Sequence, residues 1–167
     1  MTPDRVDYML AHYKEFKARC AYLEPAIKSF EKELCQMKAS ALEEAVSIGG
    51  MDMDGMPHGT DVHSKVEEWA IRFADGYTPD HIVEATAKLS QMKEEYDQKI
   101  MTVVFVDAWL EVLSARESYI IRNKTIGNAF WRDLINGFSK EFGETYTRIG
   151  LKKIEQAALE KIYRVAQ

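Results

Sequence analysis

Apolar or small residues spaced three and four apart dominate the first quarter of the chain: Val6, Met9, Tyr13, Phe16, Cys20, Leu23, Ile27, Phe30, Leu34, Met37 and Ala41. That spacing places them on one stripe of a helix, the seam of a coiled coil. At about 1.5 Å per residue a continuous helix from Val6 to Ala41 would be ~53 Å long. A stripe of that length has to be covered by another helix. The expected cover is a second copy, giving a homodimer through the N-terminal helices. The alternative is a second seam in the same chain, Ile82, Ala85, Leu89, Met92, Tyr96, Val103, Val106, Leu110 and Leu113. Either way the chain reads as all-α.

Start and stop signals divide the helices. Thr2-Pro3-Asp4 offers a hydroxyl cap, a proline in the first turn and an acid near the positive helix end, and Thr78-Pro79-Asp80 repeats it. Pro25 lies inside the first seam. Proline removes a helical N–H, so either one long helix kinks at Pro25 or a second helix starts at Glu24-Pro25 and keeps the register, the preferred reading being two successive helices with little linker. Ser47 to Asp61 contains Gly49, Gly50, Gly55, Pro57 and Gly59 and reads as a loop. A short helix is expected from Val62 to Ala74, stopped by Gly76. Met101 to Val106 is rich in β-branched residues, but the helical phase runs through it. Ser114-Ala115-Arg116-Glu117 has the form of a capping box and opens a new helix to about Asn123. A loop over Thr125–Asn128, a short helix over Phe130–Phe138, a turn at Gly143 and a last helix over Tyr146–Ala166 capped by Thr145 complete the chain. The expected division is a helical body over 1–106 and a second domain over 107–167.

Charge supports that division. Residues 1–113 carry 12 Lys and Arg against 21 Asp and Glu, whereas residues 114–167 carry 10 against 6. An overall charge of −5 therefore hides a basic tail, and phosphate contacts need local cations only. Two short helices followed by a long one, with a glycine turn before the last, is the order of a helix-turn-helix. On the last helix Leu151, Ile154, Ala158, Ile162 and Val165 form the inward stripe. Tyr146, Arg148, Ile149, Lys152, Lys153 and Gln156 form the candidate base-reading edge, with no acid before Glu155. Arg and Lys suit guanine edges or phosphates, Gln suits adenine, and Ile suits a thymine methyl. Double-stranded DNA is the expected partner.

The segment from Leu110 to Lys124, LEVLSARESYIIRNK, resembles the region-4 domain of sigma-70 factors, as do Trp131-Arg132-Asp133-Leu134-Ile135 and Tyr146-Thr147-Arg148-Ile149 with the apolar pattern that follows. Within that superfamily the chain is most similar to phage late-gene regulators of the ArpU and RinA type. The resemblance covers about a third of the chain. It implies a sigma-like helix-turn-helix in a transcription regulator acting in the cytoplasm of a bacterial host, with RNA polymerase as a further partner. Asn136-Gly137 departs from the family, which favours isoleucine-alanine packing there, and the turn over Ser139–Thr145 is extended. Two other readings stand beside it: a helical adaptor or inhibitor that binds a host protein such as RNA polymerase, and a DNA-packaging protein like a small terminase subunit.

Other signals carry less. Met51-Asp52-Met53-Asp54-Gly55 resembles a calcium loop but lacks its third acid and terminal glutamate. His58 and His63 lack further ligands nearby. Cys20 and Cys35, fifteen residues apart in helical pattern, read as reduced, buried thiols. No phosphate-binding glycine loop or nucleophile elbow is present, so the expectation is a non-enzyme without metal or cofactor. No apolar run is long enough to span a membrane.

Overall fold

In a computed structural model the described residues are 1–49 and 78–166. Among them there are six α-helices and no strand: α1 (Pro3–Ala11), α2 (Tyr13–Gly49), α3 (Asp80–Glu111), α4 (Ala115–Ile120), α5 (Trp131–Phe142) and α6 (Arg148–Val165), with a π-helical segment over Ile121–Ile126 continuing α4. None of the described helices is long and apolar enough to cross a membrane. The expected helix over Val62–Ala74 with its stop at Gly76, most of the Gly/Pro loop, the calcium-like motif and the His58/His63 pair lie outside the described residues.

The interruption in the first seam falls at His12, not at Pro25. α2 runs through Pro25, whereas His12 leaves the helical region at φ −96°, ψ 5°. Pro25 and Ala21, whose carbonyl has no N–H partner across the proline, are both exposed, so water can satisfy that carbonyl. At His12 the backbone bonds continue, His12 N–H to the Tyr8 carbonyl at 3.1 Å and Phe16 N–H to the His12 carbonyl at 3.0 Å. α2 also extends to Gly49, beyond the loop start expected at Ser47. Thr2 stands at the N-cap of α1 without a side-chain hydrogen bond, so Pro3 supplies the start signal.

The chain forms two compact units, Leu23–Glu95 and a second made of Met1–Tyr22 with Tyr96–Gln167. The first helix thus belongs with the C-terminal region, and the expected boundary at 106/107 does not separate them. In the Leu23–Glu95 unit, α2 buries Leu23, Ile27 and Leu34 and α3 buries Ile82, Ala85 and Leu89. Lys93 reaches Glu31 at 2.7 Å, and Lys88 lies over the Phe30 ring. The seam weakens toward its end: Met37 is exposed. Cys20 is buried but Cys35 is exposed, and neither forms a disulfide. The pair of buried thiols is therefore half right, because Cys35 follows the inward Leu34 and turns off the stripe.

In the other unit the two seams meet within one chain. Val6, Met9, Leu10, Tyr13 and Cys20 share a core with Val103, Val106, Trp109, Leu110 and Leu113, and the same core takes in Ile121, Ile126, Ala158 and Ile162. This part of the seam is buried within one chain. The Tyr13 hydroxyl donates to Asp107 Oδ1 at 2.6 Å and the Tyr163 hydroxyl to Asp7 Oδ1 at 2.7 Å. Burial, then the Asp7 carboxylate, pushes the Tyr163 phenol up to about 12.

Candidate nucleic-acid interface

The site is held by the packing of α4, α5 and α6. Ser114 and Glu117 form the expected capping box: the Glu117 N–H donates to Ser114 Oγ and the Ser114 N–H to Glu117 Oε2 at 2.9 Å. Glu117 also ties in α6, since Lys161 Nζ donates to both its oxygens at 2.7 and 2.9 Å. At 8% exposure it is a nearly buried carboxylate. Burial pushes its pKa up, but the hydrogen bonds from Lys161 and from Ser114 together outweigh that and hold the group below its ordinary range.

A second core lies between these helices, with Ile120, Leu134, Phe138 and Leu151 fully or almost fully buried. Tyr119 and Tyr146 pack edge-on against Phe138 with ring centroids 5.8 and 5.3 Å apart. The Tyr119 hydroxyl sits where a side chain at position 137 would begin. A Cβ at position 137, where the sequence departs from the family pattern, would require the Tyr119 side chain to move.

Several local boundaries differ from the sequence reading. The capped helix passes into the π-helical segment instead of ending near Asn123. Gly127 follows it closely enough that a Cβ would stand 2.6 Å from the Asn123 carbonyl oxygen. α5 continues to Phe142, four residues beyond Phe138, and ends on Gly143 in the left-handed region at φ +68°, a conformation glycine adopts without penalty. The last helix begins at Arg148, with Thr147, not Thr145, accepting from the Gly150 N–H at 3.3 Å. Val165, expected inside, is exposed.

These shifts sort the candidate residues. Tyr146 precedes α6 and packs against the second core, so the ring expected at the reading edge is turned inward by Phe138. Arg148, Ile149, Lys152, Lys153 and Gln156 are all exposed on α6. At 3.6 residues per turn they cover an arc of about 140°, opposite the buried Leu151, Ala158 and Ile162. The first turn of α6 holds no acid.

Trp131 and Lys124, which the sequence reading did not count among the candidate site residues, join them. Trp131 is half-buried, and three cations lie around its ring: Lys124 Nζ at 5.4 Å, the Arg148 guanidinium at 5.8 Å and Lys152 Nζ at 5.9 Å from the centroid. Beside it Phe130 is 79% exposed and Ile149 69% exposed. Lys124 comes from the π-helical segment, Trp131 from the start of α5, and Arg148 and Lys152 from α6. Spacing along the sequence carries no signal for this cluster, because its members come from three separate elements. Comparison with protein-family models, curated proteins and solved structures finds no match.

Proposed function

We propose that residues 107–166 bind double-stranded DNA as a sigma-region-4-like helix-turn-helix, with α5 and α6 as its two helices and α6 in the major groove, and that the protein is a transcription regulator of the phage late-gene type. The observation that carries this reading is the outward arc of α6: Arg148, Ile149, Lys152, Lys153 and Gln156 together, exposed, at the acid-free start of a helix anchored on a core. A groove-reading helix needs this chemistry, with cations for phosphates and guanine edges, an amide for adenine and an apolar tip for a thymine methyl. On this reading the protein works without metal or cofactor and is not an enzyme.

Titration of a mixed-sequence duplex at several salt concentrations tests it. Binding should weaken steeply with salt, because cations on phosphates release counterions. Replacing Lys152 and Lys153 together by alanine should lower the slope of log affinity against log salt by about 2. An unchanged slope in the double variant, with the fold intact, removes α6 from the groove.

One feature favours a second reading, a helical adaptor that binds a protein such as RNA polymerase. Met101, Val104, Phe105 and Val112 are large apolar side chains exposed at helical spacing along and just beyond α3, the kind of patch that marks a protein contact. A stoichiometric polymerase complex without retention on DNA would select this reading.

A further inference from the structure

The cations around Trp131 are more than an exposed ring accounts for. A single cation–π contact at an exposed site is weak, yet Lys124, Arg148 and Lys152 all converge on this one indole. Among the described residues none of the three is paired with a carboxylate; Lys124 donates to the Ala129 carbonyl at 3.0 Å. The acids on the same elements are Asp133, exposed in the first turn of α5, Glu141 and Glu160, both exposed further along α5 and α6, and Glu155, which accepts from the Thr125 hydroxyl at 3.5 Å. Three like charges drawn together repel one another. The group that relieves this is an anion with several oxygens, each able to accept a charge-assisted hydrogen bond from an ammonium or guanidinium.

We propose that Lys124, Arg148 and Lys152, gathered around Trp131, hold one phosphodiester of a nucleic-acid strand. The assignment rests on the duplex-binding reading above and adds to it a single backbone anchor at one edge of the outward arc of α6, the edge formed by Arg148 and Lys152. The strand is favoured over a free ion because the cage is flanked by the exposed apolar side chains Phe130 and Ile149, which suit the sugar carbons on either side of a phosphate. A grip of this kind sets the register of α6 along the duplex without reading sequence.

The test uses the full chain and fluorescently labelled mixed-sequence duplexes, titrated from low to physiological salt. Lys124→Ala and Arg148→Ala should each weaken binding several-fold at low salt, by the same factor on duplexes of different sequence, and lower the salt slope by about 1. Lys124→Arg should restore both, and circular dichroism checks that each variant is folded. Among the described residues Arg148 makes no hydrogen bond that supports the fold, so its variant keeps the test decisive if Lys124→Ala unfolds. Duplex binding by the wild type with unchanged slopes in the folded variants overturns the cage and leaves the DNA reading standing. No duplex binding by the wild type overturns the DNA reading itself. A parallel titration with sodium phosphate, followed through the Trp131 indole N–H resonance, separates the two sources of the anion. A shift at submillimolar phosphate that Lys124→Ala abolishes assigns the cage to a free ion and overturns the strand assignment. No shift, with the duplex effects above, supports it.

Discussion

α3 and α6 bury their inner stripes in one core, Val103 and Val106 from the first and Ala158 and Ile162 from the second, yet they turn different chemistry outward. The exposed face at the end of α3 is apolar, with Met101, Val104 and Phe105, continued by Val112 beyond its end. The outer face at the start of α6 is cationic, with Arg148, Lys152 and Lys153. A shared core therefore carries two outer surfaces of different chemistry, one apolar and one cationic. The fold supplies one compact support, and each outer face is specified by residues outside the buried stripes.

The comparison breaks most decisively at the support. Leu10, fully buried on α1, belongs to the core that takes in both stripes. Leu10→Ala should cost about 2–5 kcal/mol in urea unfolding. Hydrogen exchange in α6 should accelerate as well, since α1 and α6 belong to one unit; exchange in α6 that stays at the wild-type rate would restore a boundary at 106/107.

Glu117 comes next, because it links the α4 cap to α6. Glu117→Gln should cost about 1–3 kcal/mol near neutral pH, through weakened charge-assisted bonds to Lys161 and Ser114. The sign of the pH dependence follows from the lowered carboxyl pKa. Stability gained from the carboxylate is fully present above its ordinary value of 4.5 and is lost as pH falls from there through the folded-state value. The gap between wild type and variant in urea midpoint should narrow below pH 4.5; a gap that stays constant with pH would show that the charge is not what Glu117 contributes.

The outer faces should then separate cleanly. Lys152→Ala with Lys153→Ala should reduce duplex affinity tenfold or more at low salt and leave stability within about 0.5 kcal/mol. Phe105→Glu, on the apolar face, should also stay within about 0.5 kcal/mol of wild-type stability and leave the salt slope of DNA binding unchanged. It should diminish any complex with RNA polymerase. A change in the duplex slope from Phe105→Glu would mean that the two faces are not independent.

Much of the local structure was legible before any coordinates. The capping box at Ser114–Glu117 is a four-residue pattern whose two hydrogen bonds close within one turn. The helical phase through Met101–Val106 was readable because periodicity outweighs β-branching when both flanks keep register. Boundaries were harder. Thr145 and Thr147 are equally good caps in sequence, and the choice was made by Tyr146, whose ring is drawn onto Phe138 and holds the chain extended until Arg148. Pro25 read as a break because its cost was counted without knowing that Ala21 faces solvent.

The sequence by itself determined that this chain is helical, that its tail is basic, and that one edge of its last helix carries Arg148, Ile149, Lys152, Lys153 and Gln156, since each of these depends only on residues near one another along the chain. Tertiary structure decided which seam covers which, because an apolar stripe specifies that it must be buried but not by whom; here α1 and the start of α2 were taken up by α3 and α6. It also decided the fate of Tyr146 and Trp131. Aromatic rings serve equally as core or as platform, and only the placement of Phe138 beside one and of Lys124, Arg148 and Lys152 around the other separates the two roles.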